Sequence, residues 1–152
     1  MGAMALGVGI LLLIACLGLT YLAVRRVRLM RGGGVDVFLR RRPAAGSWAG
    51  SGDGAGWHFG VGRYQGNQLA WFRLTSFRPG PTVFVDRTDL EIVDRRTPSS
   101  TEVYLLPPSA SVLRCRVRGT ELEIAMAQGV LTGFLSWLEA TPPGRTGYRQ
   151  AS

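Results

Sequence analysis

The chain opens on an apolar run in which residues 4–24 (MALGVGILLLIACLGLTYLAV) carry no charged side chain. As an α-helix this stretch would extend about 31 Å at roughly 1.5 Å per residue, which matches the hydrocarbon thickness of a bilayer. Beyond it the apolar positions recur with the period of strands. In residues 35–41 (VDVFLRR), Val35, Val37 and Leu39 alternate with Asp36, Phe38 and Arg40, which predicts a strand. Residues 57–65 and 68–76 flank Gly66-Asn67, a two-residue turn that suits a hairpin. Its register pairs Tyr64 with Leu69 and sets Trp71 across from Gly62. Trp57, Phe59 and Val61 then share a face with Ala70, Phe72 and Leu74, read as the core surface. The opposite face carries His58, Gly60, Gly62 and Tyr64 beside Leu69, Trp71 and Arg73.

Residues 82–85 and 90–93 read as a second hairpin around 86–89, and residues 101–106 as a strand stopped by Pro107-Pro108. Residues 112–118 and 121–127 predict a third hairpin, with Gly119 at the first central position of a type II′ turn. That register sets Leu113, Cys115 and Val117 against Met126, Ile124 and Leu122. It also pairs Arg118 with Glu121 and Arg116 with Glu123, leaving Arg114 opposite Ala125. In residues 128–140, Val130, Leu131, Phe134, Leu135 and Leu138 follow helical spacing, while Gly129 and Gly133 weaken the helix so that it must dock. The expected fold is an N-terminal transmembrane α-helix followed by a mainly β domain, a small bent β-barrel or sandwich with one C-terminal α-helix. The expected organisation is an anchor at 1–24, a basic juxtamembrane linker at 25–34 with Gly32, Gly33 and Gly34 as a flexible joint, a β-rich domain at 35–141 and a disordered tail at 142–152. Residues 43–56 read as a Gly-rich flexible loop within the domain.

Composition narrows the chemistry. The 18 cationic residues exceed the 10 acidic ones for a net charge of +8, and every cation is arginine, since the sequence contains no lysine. Lysine Schiff-base and P-loop chemistry are thereby excluded. The loop at 43–56 leads into a strand-like segment and does not complete G-x-G-x-x-G, so it reads as a linker. One His and two Cys leave little for catalysis or metal binding, and no catalytic residue, metal ligand or cofactor is assigned. Cys16 sits in the apolar run and Cys115 in a strand, so no disulfide is expected. Asp86, Asp89, Glu91 and Asp94 lack the spacing of a cation loop and are interspersed with Arg87, Arg95 and Arg96, which reads as a solvated face.

The distribution of charge gives location. Arg25, Arg26, Arg28 and Arg31 follow the apolar run directly, while no cationic side chain precedes it. The positive-inside bias then predicts a plasma-membrane protein with its N-terminus outside and its C-terminal domain cytoplasmic. A cleaved signal peptide fits less well, for want of a basic n-region and an A-x-A site; were it cleaved, the domain would be secreted or periplasm-facing. Arg40, Arg41 and Arg42 begin nine residues after Arg31 and can lie no more than about 30 Å from the membrane surface, so these seven arginines form a lipid-proximal set. Arg114, Arg116 and Arg118 read as a charge-paired face, and no nucleic-acid partner is expected. Tyr64, Trp71 and Arg73 are the candidate partner face, weighed against a plain barrel corner. Ala3 with Gly7 and Ala5 with Gly9 give small-xxx-small spacing that would allow a weak homodimer through the transmembrane helix.

One strand, paired strands and a terminal helix in this order resemble the pleckstrin-homology-like fold over residues 57–140, with Trp137 in the helix where that fold usually carries tryptophan. The Lys/Arg motif of its lipid-binding members is represented here by Arg63 and Arg73 alone. The anchor with its Arg25-Arg26 flank, the WHFGVGRYQGNQLAWFRL stretch at 57–74 and the TGFLSWLEATPPG ending at 132–144 resemble domain of unknown function 2550, a family of actinobacterial single-pass membrane proteins. That resemblance implies an N-terminal helix and one cytoplasmic module, and brings no activity with it.

Three functions follow for test. The first is a membrane-anchored, non-enzymatic adaptor for a protein partner of unknown identity. The second is a peripheral module that engages anionic lipid through the arginine clusters, at roughly 1 kcal/mol per charge. The third, an enzyme using His58 with a carboxylate, is disfavoured because a lone His without a suitably spaced acid is usually structural.

Overall fold

The computed structural model describes residues 1–41 and 56–140. Arg42, the loop at 43–55 and the tail at 141–152 fall outside the described residues, and with them the readings made there. Helix α1(Gly2–Arg31) is apolar on all sides through Val24, and leucines and isoleucines such as Leu11 and Ile14 stand exposed along it. It is long and apolar enough to cross a membrane, and none of its most apolar window is buried within the protein. An apolar surface of this extent has no stable place in water.

The helix does not end where its apolar run ends. Instead of the linker expected at 25–34, α1 continues to Arg31, because arginine is a good helix former and Arg28 and Arg31 in the last turn favour the negative end of the helix dipole. Nor do the three glycines form a flexible joint. Gly33 takes φ +78°, its N–H donates to the Met30 carbonyl at 3.1 Å and the Gly34 N–H donates to the Leu29 carbonyl at 3.1 Å. These are the two bonds of a Schellman stop. A Cβ on Gly34 would lie 2.5 Å from both the Leu29 carbonyl oxygen and Val61 Cγ1, so glycine is what lets the helix end sit on the sheet.

Seven strands follow, β1(Val35–Arg41), β2(His58–Gln65), β3(Gln68–Arg73), β4(Val83–Asp86), β5(Leu90–Arg96), β6(Ser111–Val117) and β7(Thr120–Met126), before α2(Gln128–Glu139). They form one antiparallel sheet in the order β4-β3-β2-β1-β7-β6-β5. The sheet curls into a half-barrel, and α2 lays Leu131 and Phe134 into its trough against residues from both halves, including Val37, Trp71 and Leu113. The bounds of α2 agree with its apolar spacing to within one residue. Its glycines are tolerated because that stripe docks.

The first hairpin has the expected register, with Tyr64 opposite Leu69 and Trp71 opposite Gly62, and Gly66 supplies φ +59° at the turn. The second expected hairpin is not one. Both strands exist, but β4 pairs with β3 and β5 with β6, which makes them the two opposite edges of the sheet. Alternation in each strand says nothing about which neighbour it takes, and Val83, Val85 and Leu90 are satisfied by lining the trough. The third hairpin turns one residue early. Arg118 and Gly119 both take positive φ, as a type I′ turn requires. The pairs therefore become Cys115 with Leu122, Leu113 with Ile124, Arg116 with Glu121 and Arg114 with Glu123. Because each pair moves by two positions, every side chain keeps its face. Arg118 instead reaches Asp89 at 2.6 Å.

Residues 101–106 form no strand. A 3-10 turn occupies Glu102–Tyr104, closed by the Leu105 and Leu106 N–H groups on the Glu102 carbonyl at 2.9 Å each. The Glu102 side chain accepts the Ser99 N–H at 2.9 Å, a local bond that competes with extension.

The faces of β2 and β3 are the reverse of those read from sequence. Trp71 is 2% exposed and its Nε1 donates to the Val37 carbonyl at 2.9 Å, so Leu69 and Trp71 point into the trough. Val61, Ala70 and Phe72 lie on the outer side, covered by Leu29 of α1. Both faces are apolar because both are covered. The Trp71 ring leans from its register partner onto Gly60, where a Cβ would lie 2.5 Å from Trp71 Nε1 and from the Phe72 carbonyl oxygen. Gly60→Ala is expected to cost about 1–3 kcal/mol, read as a lower melting temperature of the full chain in detergent micelles. An unchanged melting temperature would contradict this seat for Trp71.

Candidate functional site

The features that set this chain apart lie where α1 meets the sheet. Arg25, the first charge after the apolar run, is 9% exposed because its guanidinium is turned onto the domain. Its Nη1 donates to the Arg73 carbonyl at 3.2 Å and to the Ser76 carbonyl, fastening the β3–β4 loop to the helix. One turn earlier, Tyr21 stacks on Phe77 of that loop with centroids 6.1 Å apart. Between helix and loop lies a cavity of about 530 Å³ lined by Thr20, Tyr21, Val24, Arg25, Arg28, Leu29 and Pro79. On the other flank Arg26 pairs with Asp36 at 3.4 Å and lies 5.2 Å over the Phe59 ring. The helix is thus fixed to the sheet by its Schellman stop, a clamped arginine and an aromatic stack.

Of the arginines expected to face lipid, Arg26, Arg28, Arg31 and Arg41 are exposed. Arg25 and Arg40 are buried instead, Arg25 against the β3–β4 loop at the edge of the cavity. Arg40 is buried with Glu123, to which its Nε donates at 2.8 Å, and its Nη2 lies 3.1 Å from Glu102. Arg96 completes the group, 2.6 Å from Glu102 and 3.2 Å from Glu123. Two guanidiniums and two carboxylates thus alternate between β1, β5, β7 and the 3-10 turn, and Trp57 covers Arg40 at 4.7 Å. Burial alone would raise the Glu102 carboxyl, but hydrogen bonds from Arg96, the Ser99 N–H and Trp57, with the Arg96 charge, outweigh it and bring the group down to about 2. The same bonds raise Arg96 further. Each buried charge is matched within this group, so that removing any one member would leave another uncompensated.

The expected partner face is dispersed. Trp71 belongs to the core. Tyr64 is half-buried beneath α2, with its ring 5.2 Å from Trp137, and burial raises its phenol above the ordinary value. Arg73 gives its side chain to Thr75 at 3.1 Å and its carbonyl to Arg25. Trp137 Nε1 donates to the Gly66 carbonyl at 2.9 Å. Arg87 caps the end of α2 through the Trp137 and Ala140 carbonyls at 2.8 and 3.3 Å. His58 is lowered by burial and then by the Arg73 charge, which leaves it neutral at neutral pH. Burial pushes the Cys115 thiol up to about 12, so it is no nucleophile. Among the described residues, no three His, Cys, Asp or Glu side chains converge to hold a metal ion.

Sequence reading missed two surfaces. Phe77 and Pro79 lie in a segment with no periodicity, and their link to Tyr21 is made only in the fold. Val103, Tyr104 and Leu105, whose pattern predicts a strand, project into solvent from the 3-10 turn, Tyr104 at 90% exposure. The burial of Glu102 beneath them explains the projection.

The family model described as protein of unknown function (DUF2550) matches residues 11–144. The uncharacterized protein ML1147 of Mycobacterium leprae (strain TN) is 39% identical over 144 residues, covering 91% of this chain and 93% of its own. The uncharacterized protein Rv1312 of Mycobacterium tuberculosis (strain ATCC 25618 / H37Rv) is 36% identical over 143 residues, covering 91% and 92%. No solved structure matches the chain.

Proposed function

The chain belongs to the DUF2550 family, and from that premise we propose that it is a single-pass, non-enzymatic interaction module whose pleckstrin-homology-like domain is held in the cytoplasm against the inner face of the plasma membrane. One observation carries this reading: the apolar helix is fixed to the sheet by the Gly33–Gly34 stop and the Arg25 clamp, so the domain is a platform of set orientation. The arginines that follow the apolar run support a cytoplasmic domain. The strand order, with a C-terminal helix filling the trough, supports the pleckstrin-homology-like assignment. A non-enzymatic role is supported by the mutual pairing of the buried charges and by the buried Cys115 thiol, which stays protonated. The exposed Val103, Tyr104 and Leu105 are the side chains offered to a protein partner.

The test is topology followed by contact. Protease added to intact cells should spare the domain and should digest it once the cells are opened. Digestion from outside, or a mature chain lacking residues 1–24, would overturn the reading. Tyr104→Asp should leave the melting temperature unchanged and abolish the complex trapped by a photo-crosslinker placed at Val103. A complex that survives this change assigns the contact elsewhere.

A further inference from the structure

We propose that the cavity between α1 and the β3–β4 loop is a binding site for the phosphate of an anionic phospholipid in the leaflet that α1 enters, with Phe77 inserted beside it. The inference rests on the membrane-anchor reading and deepens it. Tyr21, Arg25 and Arg28 follow one another along the cavity wall. At roughly 1.5 Å per residue, Tyr21 lies about 5 Å inside the hydrocarbon edge if that edge falls at Val24, and Arg28 about 6 Å outside it. Those levels run from the first acyl carbons into the headgroup layer, which is about 5–8 Å thick on each side.

The chemistry of the wall matches that position. Thr20, Tyr21, Val24 and Pro79 make the upper wall apolar enough for the first carbons of an acyl chain, and Arg25 and Arg28 bring two positive charges to the lower wall. Arg25 Nη1 is occupied by the loop carbonyls, but its Nη2 is buried and has no hydrogen-bond partner. A buried guanidinium nitrogen left without an acceptor is costly. A phosphate oxygen in the adjoining cavity supplies the missing acceptor with opposite charge. Arg28 is exposed and forms no ion pair among the described residues. Phe77, 67% exposed, presents its ring from the loop beside Tyr21, an apolar group suited to the acyl side of the interface. A cavity of about 530 Å³ is of ordinary size for a small polar headgroup.

The full chain in neutral detergent micelles is titrated with phosphatidylglycerol, with phosphatidylcholine and with inorganic phosphate, and native mass spectrometry reads the adducts while melting is followed in parallel. One phosphatidylglycerol per chain with a raised melting temperature is expected, phosphatidylcholine being held more weakly. Arg28→Gln, at an exposed position, should keep the lipid-free melting temperature and weaken phosphatidylglycerol retention about fivefold. Phe77→Ser should weaken it as well. Equal retention of both lipids, binding of inorganic phosphate alone, or an Arg28→Gln chain that holds phosphatidylglycerol like the parent would overturn the proposal. Alkaline extraction of cell membranes separates the premise from the inference. A chain that stays in the membrane pellet but retains no anionic lipid leaves the anchor standing and removes the site.

Discussion

Glu102→Ala is expected to destabilise the domain by about 3–5 kcal/mol, the usual consequence of taking one member out of a buried charge group. In the intact protein this carboxylate, 1% exposed, accepts from Arg96 at 2.6 and 2.9 Å, from Trp57 Nε1 at 3.1 Å and from the Ser99 N–H at 2.9 Å. Removing it leaves Arg40 buried in a group where the positive charges outnumber the carboxylates, and it frees the turn that presents Tyr104. Thermal unfolding of the full chain in micelles, followed by circular dichroism, reads the loss. A change below about 1 kcal/mol, the value of an exposed pair, would show that the group is open to water. Acid provides a second signature. Glu102 sits at about 2 in the folded protein against an ordinary value of 4.5, so its contribution is complete above about pH 4.5 and is lost as pH falls through 2. That contribution is on the order of 3 kcal/mol. The gap in stability between the parent and Glu102→Ala should therefore narrow from pH 5 to pH 2.

Trp71→Ala should cost a comparable amount, about 3–5 kcal/mol. The side chain is the largest in the core, it touches the trough that α2 fills, and its Nε1 satisfies the Val37 carbonyl of β1. Trp71→Phe separates the two contributions. It retains much of the ring, loses the hydrogen bond and should cost about 1–3 kcal/mol. If Trp71 were a partner contact on an outer face, both variants would melt like the parent and fail only in complex formation. The melting experiment on lone protein decides between these outcomes.

Particular residues show what could be read in advance. Strand β1 agrees with its alternation residue for residue, and the β2–β3 register was legible because Gly66-Asn67 names its own turn. Turn chemistry was ambiguous at 118–120. Glycine can serve either the first or the second central position there, and Arg118 took the positive φ that sequence reasoning reserved for glycine. At the candidate site, the arginines after the apolar run were legible as a group, but their division into clamped and exposed members was not. Arg25 and Arg28 lie on one face of the helix, and what separates them is that only Arg25 meets the Arg73 and Ser76 carbonyls. Arg40 and Arg41 are adjacent, and strand alternation sends Arg40 to the face away from the trough, where Glu123, Glu102 and Trp57 cover it, and leaves Arg41 exposed on the face of Val37 and Leu39.

The amino-acid sequence by itself determined the properties that depend on neighbours within a few residues: an apolar helix of membrane length, strands of period two and a terminal helix that must dock. The tertiary structure decided everything that depends on contacts between distant segments. It made β4 and β5 opposite edges, turned Trp71 inward and gathered Arg40, Arg96, Glu102 and Glu123 into one neutral group. The physical reason is that a local pattern states which residues need burial or a counter-charge, while several distant partners could meet that need equally well. The choice among them is made by the packing of the whole sheet around α2 and by the foot of α1, which covers what would otherwise be its solvent face.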